Sequence, residues 1–331
     1  MKLLITGGTG FIGSRLALEA RSRGLEVTVA GQVKTSAERA RHAELLGRGV
    51  QIDQGPLQDS TYAQSLVRGC DAVIHLAAAQ HEANVPDAYF ETVNVIGTRK
   101  LLEASREAGV QRFVYGSTIG VYGDAAGGTL DESSPPRPVN IYGRTKLAAE
   151  GEVSSFASSL PTTIIRISET YGPADFRLLK LFRALDRGRF LIIGAGTNLH
   201  QLIHVRDLVR ALLLAMEHPA AVGQTVVVAG AQAMTTRDMV TQVARALGRP
   251  VPALHAPLWP FLLLAGGLEL MCRPFGIQPP LHRRRLDFFR KSFVFDTSKA
   301  HSVLGFSPQI AFSDGAAETA AWYREHGYLP A

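Results

Sequence analysis

Tyr142 and Lys146, in the run Tyr-Gly-Arg-Thr-Lys, stand four residues apart and share one face of any helix that carries them. An ammonium beside a phenol favours the phenolate, because opposite charge stabilises the ionised form. A tyrosine of pKa ~10 needs a shift of about three units, roughly 4 kcal/mol, to exchange protons near neutrality. Such a pair also occurs on ordinary exposed helix faces, so its companions decide. Ser117 and Thr118 offer hydroxyls that can bond a substrate oxygen beside Tyr142. Asn94 can support a water or the lysine; its plainer reading is a buried amide that satisfies backbone.

These groups need a scaffold, and the first thirteen residues announce one. Leu3 to Ile5 read as a buried strand, Gly7, Gly10 and Gly13 as a turn, and Ser14 to Arg23 as a helix. Strand, glycine turn and helix in this order open a dinucleotide-binding unit, with the helix N-terminus directed at the phosphates. Gly7, Thr9, Gly10, Phe11 and Ile12 are the expected cofactor contacts in the turn. The positive ring of an oxidised nicotinamide would join Lys146 in favouring the Tyr142 phenolate, and Lys146 can also bond the nicotinamide ribose.

Strands are read at Glu26–Ala30, Val50–Asp53, Asp71–Leu76, Val110–Tyr115, Thr162–Ser168 and Gln224–Ala229. Helices are read at 59–68, 86–108, 139–159, 176–187 and 205–217. The alternation predicts an α/β fold, a doubly wound parallel Rossmann sheet with a smaller, mostly helical C-terminal part. The expected organisation is a cofactor-binding domain over 1–170, joined by 200–230, and a substrate-binding region over 171–199 and 231–331. Small residues after the fourth strand, Leu76, Ala77 and Ala78, suit a loop lying against the cofactor, with Gln80 at the substrate. Gly31 closes the second strand and no carboxylate follows in Gly31–Thr35. With Lys34 and Arg15 in reach, NADP is preferred to NAD; the bland reading of Lys34 is a solvated loop charge.

At 46% hydrophobic and 19% charged residues, the chain is too apolar for disorder. A net charge of +6 is spread out, with one tight cluster, Arg283–Arg285, and no nucleic-acid motif, so no nucleic-acid partner is expected. Cys70 and Cys272 lack metal-ligand spacing, so no metal site is expected and the thiols read as reduced, as in a cytoplasmic protein. No signal peptide is read, and the apolar run Phe261–Leu268 is far short of the ~20 residues of a spanning helix.

The motifs Thr6-Gly-Gly-Thr-Gly-Phe-Ile-Gly13, His75-Leu-Ala-Ala78, Asn94-Val-Ile-Gly-Thr98, Phe113-Val-Tyr-Gly-Ser-Thr118, Tyr142-Gly-Arg-Thr-Lys146, Tyr171-Gly-Pro173, His204-Val-Arg-Asp207 and Phe295-Asp-Thr-Ser-Lys299 run over nearly the whole chain. Together they make the sequence resemble an extended short-chain dehydrogenase/reductase of the NAD-dependent epimerase/dehydratase superfamily. The resemblance implies a triad of Thr118, Tyr142 and Lys146, with Ser117 as the other candidate hydroxyl and Asn94 as a fourth member. Tyr142 would exchange a proton with the substrate oxygen while hydride moves between carbon and nicotinamide. A homodimer, formed through a helix bundle that includes the helix of Tyr142, is implied in the same way.

Departures from the family pattern steer the substrate expectation. Glu169 stands where nucleotide-sugar members usually carry an asparagine, and His200 where they often carry an arginine; a carboxylate facing a diphosphate is repelled. Pro56 replaces the aspartate that usually meets adenine, leaving the backbone of Leu57 to contact the cofactor. Leu258–Leu264 with Leu268, Leu270 and Met271 supply more apolar surface than a sugar pocket requires, unless they pack in a core of their own. The expectation is therefore the 3β-hydroxysteroid dehydrogenase-like branch: an oxidoreductase for a secondary alcohol or ketone of a hydrophobic, sterol-like or polycyclic molecule. The alternative is a nucleotide-sugar 4-epimerase or dehydratase with tightly held NAD. Arg283–Arg285 leave weak contact with an anionic membrane surface open beside the duller reading of a solvated helix end.

Overall fold

The computed structural model describes residues 1–80, 85–123, 128–272 and 286–330. Five parallel strands come first: β1 (Lys2–Thr6), β2 (Glu26–Ala30), β3 (Gln51–Asp53), β4 (Ala72–His75) and β5 (Arg112–Thr118). Two more, Thr162–Ile167 and Thr225–Val228, complete a seven-stranded sheet in the spatial order 225–228, 162–167, β5, β4, β1, β2, β3. Leu3, Leu4, Ile5, Val73 and Ile74 are fully buried, as strands covered on both faces require. On one face Leu3 and Ile5 meet α1 (Phe11–Ser22) and α8 (Val205–Glu217) through Leu16, Leu208 and Leu212. On the other, Val73 and Phe113 meet α5 (Gly97–Glu107) and α6 (Ile141–Ser155) through Leu101, Leu102 and Val153.

Two helices depart from the expectations. No element was expected at α2 (Ser36–Gly47), although Thr35 and Glu38 form a reciprocal capping box at its start. The long helix 86–108 is interrupted: α4 (Asp87–Glu91) leads into a π-helical turn, Thr92–Ile96, before α5. The widened turn re-aims Asn94, which is buried within it. Beyond the sheet a further core gathers Tyr171, Phe182 of α7 (Leu179–Asp186), Val240 and Val243 of α9 (Thr236–Leu247), and Tyr323 of the C-terminal helix Phe312–Glu325.

One helix does not join any core. The apolar block forms α10 (Leu258–Cys272), in which Ala265 alone is buried. Among the described residues it joins none of the buried apolar clusters. Arg283–Arg285 lie outside the described residues.

A buried polar chain runs through the sheet. His75 Nδ1 lies 2.5 Å from Thr6 Oγ1, which also accepts from Ala77 N, and His75 Nε2 lies 2.9 Å from Thr98 Oγ1, which donates to Asn94 O. These bonds are all satisfied by a neutral imidazole protonated on Nε2. Burial, then the charge of Lys146, pushes the His75 pKa down to about 3. Burial and Arg206 push His204 down to about 4.

The unfolded chain, with histidines near pKa ~6.5, therefore takes up protons that the fold refuses, so stability is lost as pH falls below ~6.5. The thermal midpoint should drop between pH 7.5 and pH 5, with His75 alone contributing about 2 kcal/mol of the loss. His75→Gln should show a smaller drop; a midpoint equally pH-dependent in both proteins contradicts the assignment.

Candidate active site

The glycine turn, the loop after β4 and the start of α1 meet backbone to backbone. Gly7 has φ +70°, and a Cβ there would stand 2.7 Å from Ala77 N and 2.8 Å from the Leu76 carbonyl carbon. Leu76 and Ala77 thus lie beside Gly7. No side chain caps α1 and no acidic residue stands in its first turn, which leaves its N–H ends turned to an anion. Thr9 Oγ1 donates to Gln32 O (2.7 Å) and packs against Gly31. Lys34 Nζ is drawn to Tyr89, 3.4 Å from its hydroxyl. Arg15 is bonded to Glu44 of α2. Leu57 packs against Gly97 at the head of α5.

Asn140 Oδ1 accepts from Gly143 N (2.9 Å) and starts α6 just before Tyr142. A Cβ on Gly143 would come within 2.7 Å of Gly120 O, so the catalytic helix is pressed against the segment that follows Thr118. Tyr142 is half-buried at this junction. Lys146 is buried, its Nζ 4.0 Å from the centre of the Tyr115 ring. Burial lowers its pKa to about 7, against the opposing pull of the Glu150 carboxylate.

The other expected residues divide by their bonds. Thr118 Oγ1 accepts from Gly120 N (3.1 Å), and its own proton remains for another acceptor. Ser117 Oγ donates to Glu150, so this hydroxyl belongs to a buried ion pair: Arg166 Nη2 stands 2.8 Å from Glu150 Oε2, and Arg166 Nη1 donates to Tyr122 OH (2.9 Å). Burial is the largest influence on Arg166 and lowers its pKa, but Glu150 and Tyr122 outweigh it and hold it raised. Asn94 accepts from Ala79 N (2.7 Å) and donates to Ala79 O (3.0 Å) and Thr145 Oγ1 (2.9 Å). It joins the loop after β4, in which Gln80 also lies, to the catalytic helix.

Glu169 and His200 form a pair, with His200 Nδ1 donating to Glu169 Oε2 at 2.9 Å. On the far side of the ring, Nε2 lies 3.0 Å from Asn198 Nδ2, 3.1 Å from Thr236 Oγ1 and 3.1 Å from Phe288 O, and Asn198 Oδ1 accepts from Thr236. Burial raises the Glu169 pKa, but the His200 bond and the charges of His200 and Arg177 outweigh it, and the carboxyl is held lowered. Arg177 gave no signal in the sequence. Its guanidinium stands 6.0 Å from the Phe11 ring of the glycine turn, donates to Asp175 Oδ1 (3.0 Å) and to Thr170 O, and feels the charges of Glu169 and Tyr142. Arg41 of α2 lies 6.0 Å from the same ring and donates to Ala174 O (2.8 Å).

The glycine turn at the head of a parallel seven-stranded sheet and the helix of Tyr142 and Lys146 thus belong to one fold. Residues 3–230 match the NAD dependent epimerase/dehydratase family, and the chain belongs to it. It is 30% identical to a dTDP-glucose 4,6-dehydratase of Streptomyces niveus, over 98% of this chain and 94% of that one. It is 27% identical to the N-acetyl-alpha-D-glucosaminyl-diphospho-ditrans,octacis-undecaprenol 4-epimerase of Escherichia coli O157:H7, over 96% and 93%. The structure of MoeE5 in complex with UDP-glucose and NAD superposes with a TM-score of 0.76 at 28% identity, covering 98% of this chain and 99% of that one. These relatives do not single out the 3β-hydroxysteroid dehydrogenase-like branch expected above.

Asn94→Ala removes three hydrogen bonds and leaves Ala79 unpaired in a buried place. It should cost about 1–3 kcal/mol in urea unfolding. An unchanged midpoint would show that the bridge carries no stability.

Proposed function

We propose that the chain acts on a diphosphate-linked sugar as a 4-epimerase or dehydratase, with NAD reduced and reoxidised within one turnover. The observation that carries this reading is the pairing of Glu169. The carboxylate that argued for an apolar substrate is bonded to His200 and feels the charge of Arg177, so its repulsion of a diphosphate is locally offset. The second argument for an apolar substrate also weakens, because Trp259, Leu263, Leu264, Leu270 and Met271 of α10 are exposed. Arg177, its side chain 50% exposed and shared with Asp175, is our candidate for the cation that meets the substrate's phosphates.

In this reading Tyr142 takes the proton of the sugar hydroxyl while its carbon gives hydride to the nicotinamide, which supplies the hydride acceptor when bound. Thr118 donates to the substrate oxygen as charge develops, and Lys146 stabilises the phenolate and holds the ribose. The glycine turn and the N-terminus of α1 hold the pyrophosphate. NAD is proposed in place of the NADP expected from Lys34 and Arg15, because Tyr89 and Glu44 engage those two cations. The 171–199 and 231–331 segments are proposed to bind the sugar, and a homodimer is kept as the proposed assembly.

The protein incubated with NAD and a panel of UDP-, GDP- and dTDP-sugars should convert a sugar, read by chromatography, without net gain of absorbance at about 340 nm. Net NADH formation with apolar secondary alcohols and inert sugars would restore the oxidoreductase reading. Tyr142→Phe should lose at least about a hundredfold in kcat and bind NAD as before. Arg177→Ala should raise KM about tenfold or more with a smaller change in kcat; an unchanged KM removes Arg177 from the phosphate site.

A further inference from the structure

The segment that leaves the strand Thr162–Ile167 crosses the sheet to reach α2. In the spatial order β5, β4 and β1 lie between that strand and β2, which α2 follows. Neighbouring strands stand ~4.8 Å apart, so the way from Thr162–Ile167 to β1 is about 14 Å. Ile167 to Ala174 is seven residues, ~25 Å at full stretch, which suffices for a direct crossing and little more. The strands are parallel, so this crossing starts from the end of the sheet that carries the glycine turn, where open α/β sheets bind their ligands. Contact with the turn agrees: the Arg177 guanidinium lies 6.0 Å from the ring of Phe11.

The crossing segment is pinned from both sides. Arg41, buried on α2, donates from Nη2 to Ala174 O at 2.8 Å. Its guanidinium lies 5.7 Å from the Phe176 ring and 6.0 Å from the Phe11 ring. Tyr323 of the helix Phe312–Glu325 donates to the next carbonyl, Asp175 O. Asp175 is buried and its Oδ1 accepts from Arg177 N (2.9 Å) and Arg177 Nε (3.0 Å). Ala174, between these anchors, has φ +72° and is the one non-glycine residue at positive φ among the described residues. An alanine stays in that region only where its surroundings hold it there. An apolar side chain would fill the place of Arg41 between the two rings, so what the guanidinium adds is the bond to Ala174.

We propose that Gly172–Arg177 form a strap across the cofactor crevice and that Arg41 is its catch, so that NAD leaves only when the bond to Ala174 opens. Arg41 is a positioning residue, acting on the cofactor through the strap. Opening lets Ala174 return to negative φ, so the catch holds a strained closed state against a relaxed open one. The inference rests on the epimerase or dehydratase reading in one respect: an enzyme that reduces and reoxidises NAD within one turnover gains from keeping it bound.

NAD itself, not the sugar, is followed in the test. The full-length protein is loaded with NAD and desalted, and the bound nucleotide is measured by chromatography after denaturation. The release rate is read by exchange of bound radiolabelled NAD against an excess of unlabelled NAD. Wild type should keep most of its NAD through desalting. Arg41→Met, which fills the space between the rings but has no donor, should release it at least about tenfold faster. Arg41→Lys, which restores a donor, should recover part of the retention. Tyr323→Phe frees the strap from its other side and should also speed release, which keeps the test open if Arg41→Met folds poorly. A merely structural role for these residues would lower the thermal midpoint of the NAD-free protein and leave the release rate unmoved. Release at the wild-type rate from every variant that folds overturns the proposal, as does a wild type that loses its NAD on desalting. Sugar conversion by such a protein would leave the epimerase or dehydratase reading standing. Retained NAD that the variants let go supports the strap even where no sugar is turned over.

Discussion

The arrangement depends on keeping the Lys146 ammonium in a place from which water is excluded. Its Nζ faces the Tyr115 ring, and Glu150 one turn along α6 is the carboxylate that supports its charge. Burial works against that charge and brings the pKa to about 7, where small changes in surroundings decide whether the lysine is charged. Two further features follow. His75, in the same core, stays neutral partly because Lys146 is near it. Glu150 is held in place by Arg166 and Ser117, so the support of the lysine rests on a buried ion pair whose removal from either side would leave a charge unpaired.

The same network sets distances. Thr6, His75 and Thr98 tie β1 and β4 to the π-helical turn, and Asn94 ties that turn to Ala79 and to Thr145 on α6. The loop after β4 and the helix of Tyr142 therefore share one chain of hydrogen bonds. Gly7 and Gly143, at its two ends, allow backbone contacts that any side chain would prop apart. Pre-organisation of this kind fixes the loop after β4 and the helix of Tyr142 relative to each other.

Much of this was legible in the sequence because its causes are local. Buried parallel strands write themselves as short apolar runs, and the turn at Gly7–Gly13 and the Tyr142–Lys146 spacing each depend on a few consecutive residues. What escaped depends on distant partners. Glu169 read as a bare carboxylate because its partner, His200, is 31 residues away. Arg41 reaches Ala174 across 133 residues. Ser117 read as the second candidate hydroxyl after Thr118, and the partner that takes its proton, Glu150, is 33 residues away. The helix α2 was missed despite a local sign, the Thr35–Glu38 capping box. The block at 258–271 has the same composition whether it lines a pocket, fills a core or faces outward, so only the fold could tell which.

The most direct test of the Tyr142–Lys146 chemistry is the pH dependence of kcat/KM for the converted sugar, wild type against Lys146→Met. Wild type should bend at an ionisation near neutrality that belongs to the coupled pair, and the variant's bend should move upward toward the ~10 of an unsupported tyrosine, with a large fall in rate. A variant with the wild-type profile and rate would show that the buried ammonium does not prepare the phenolate.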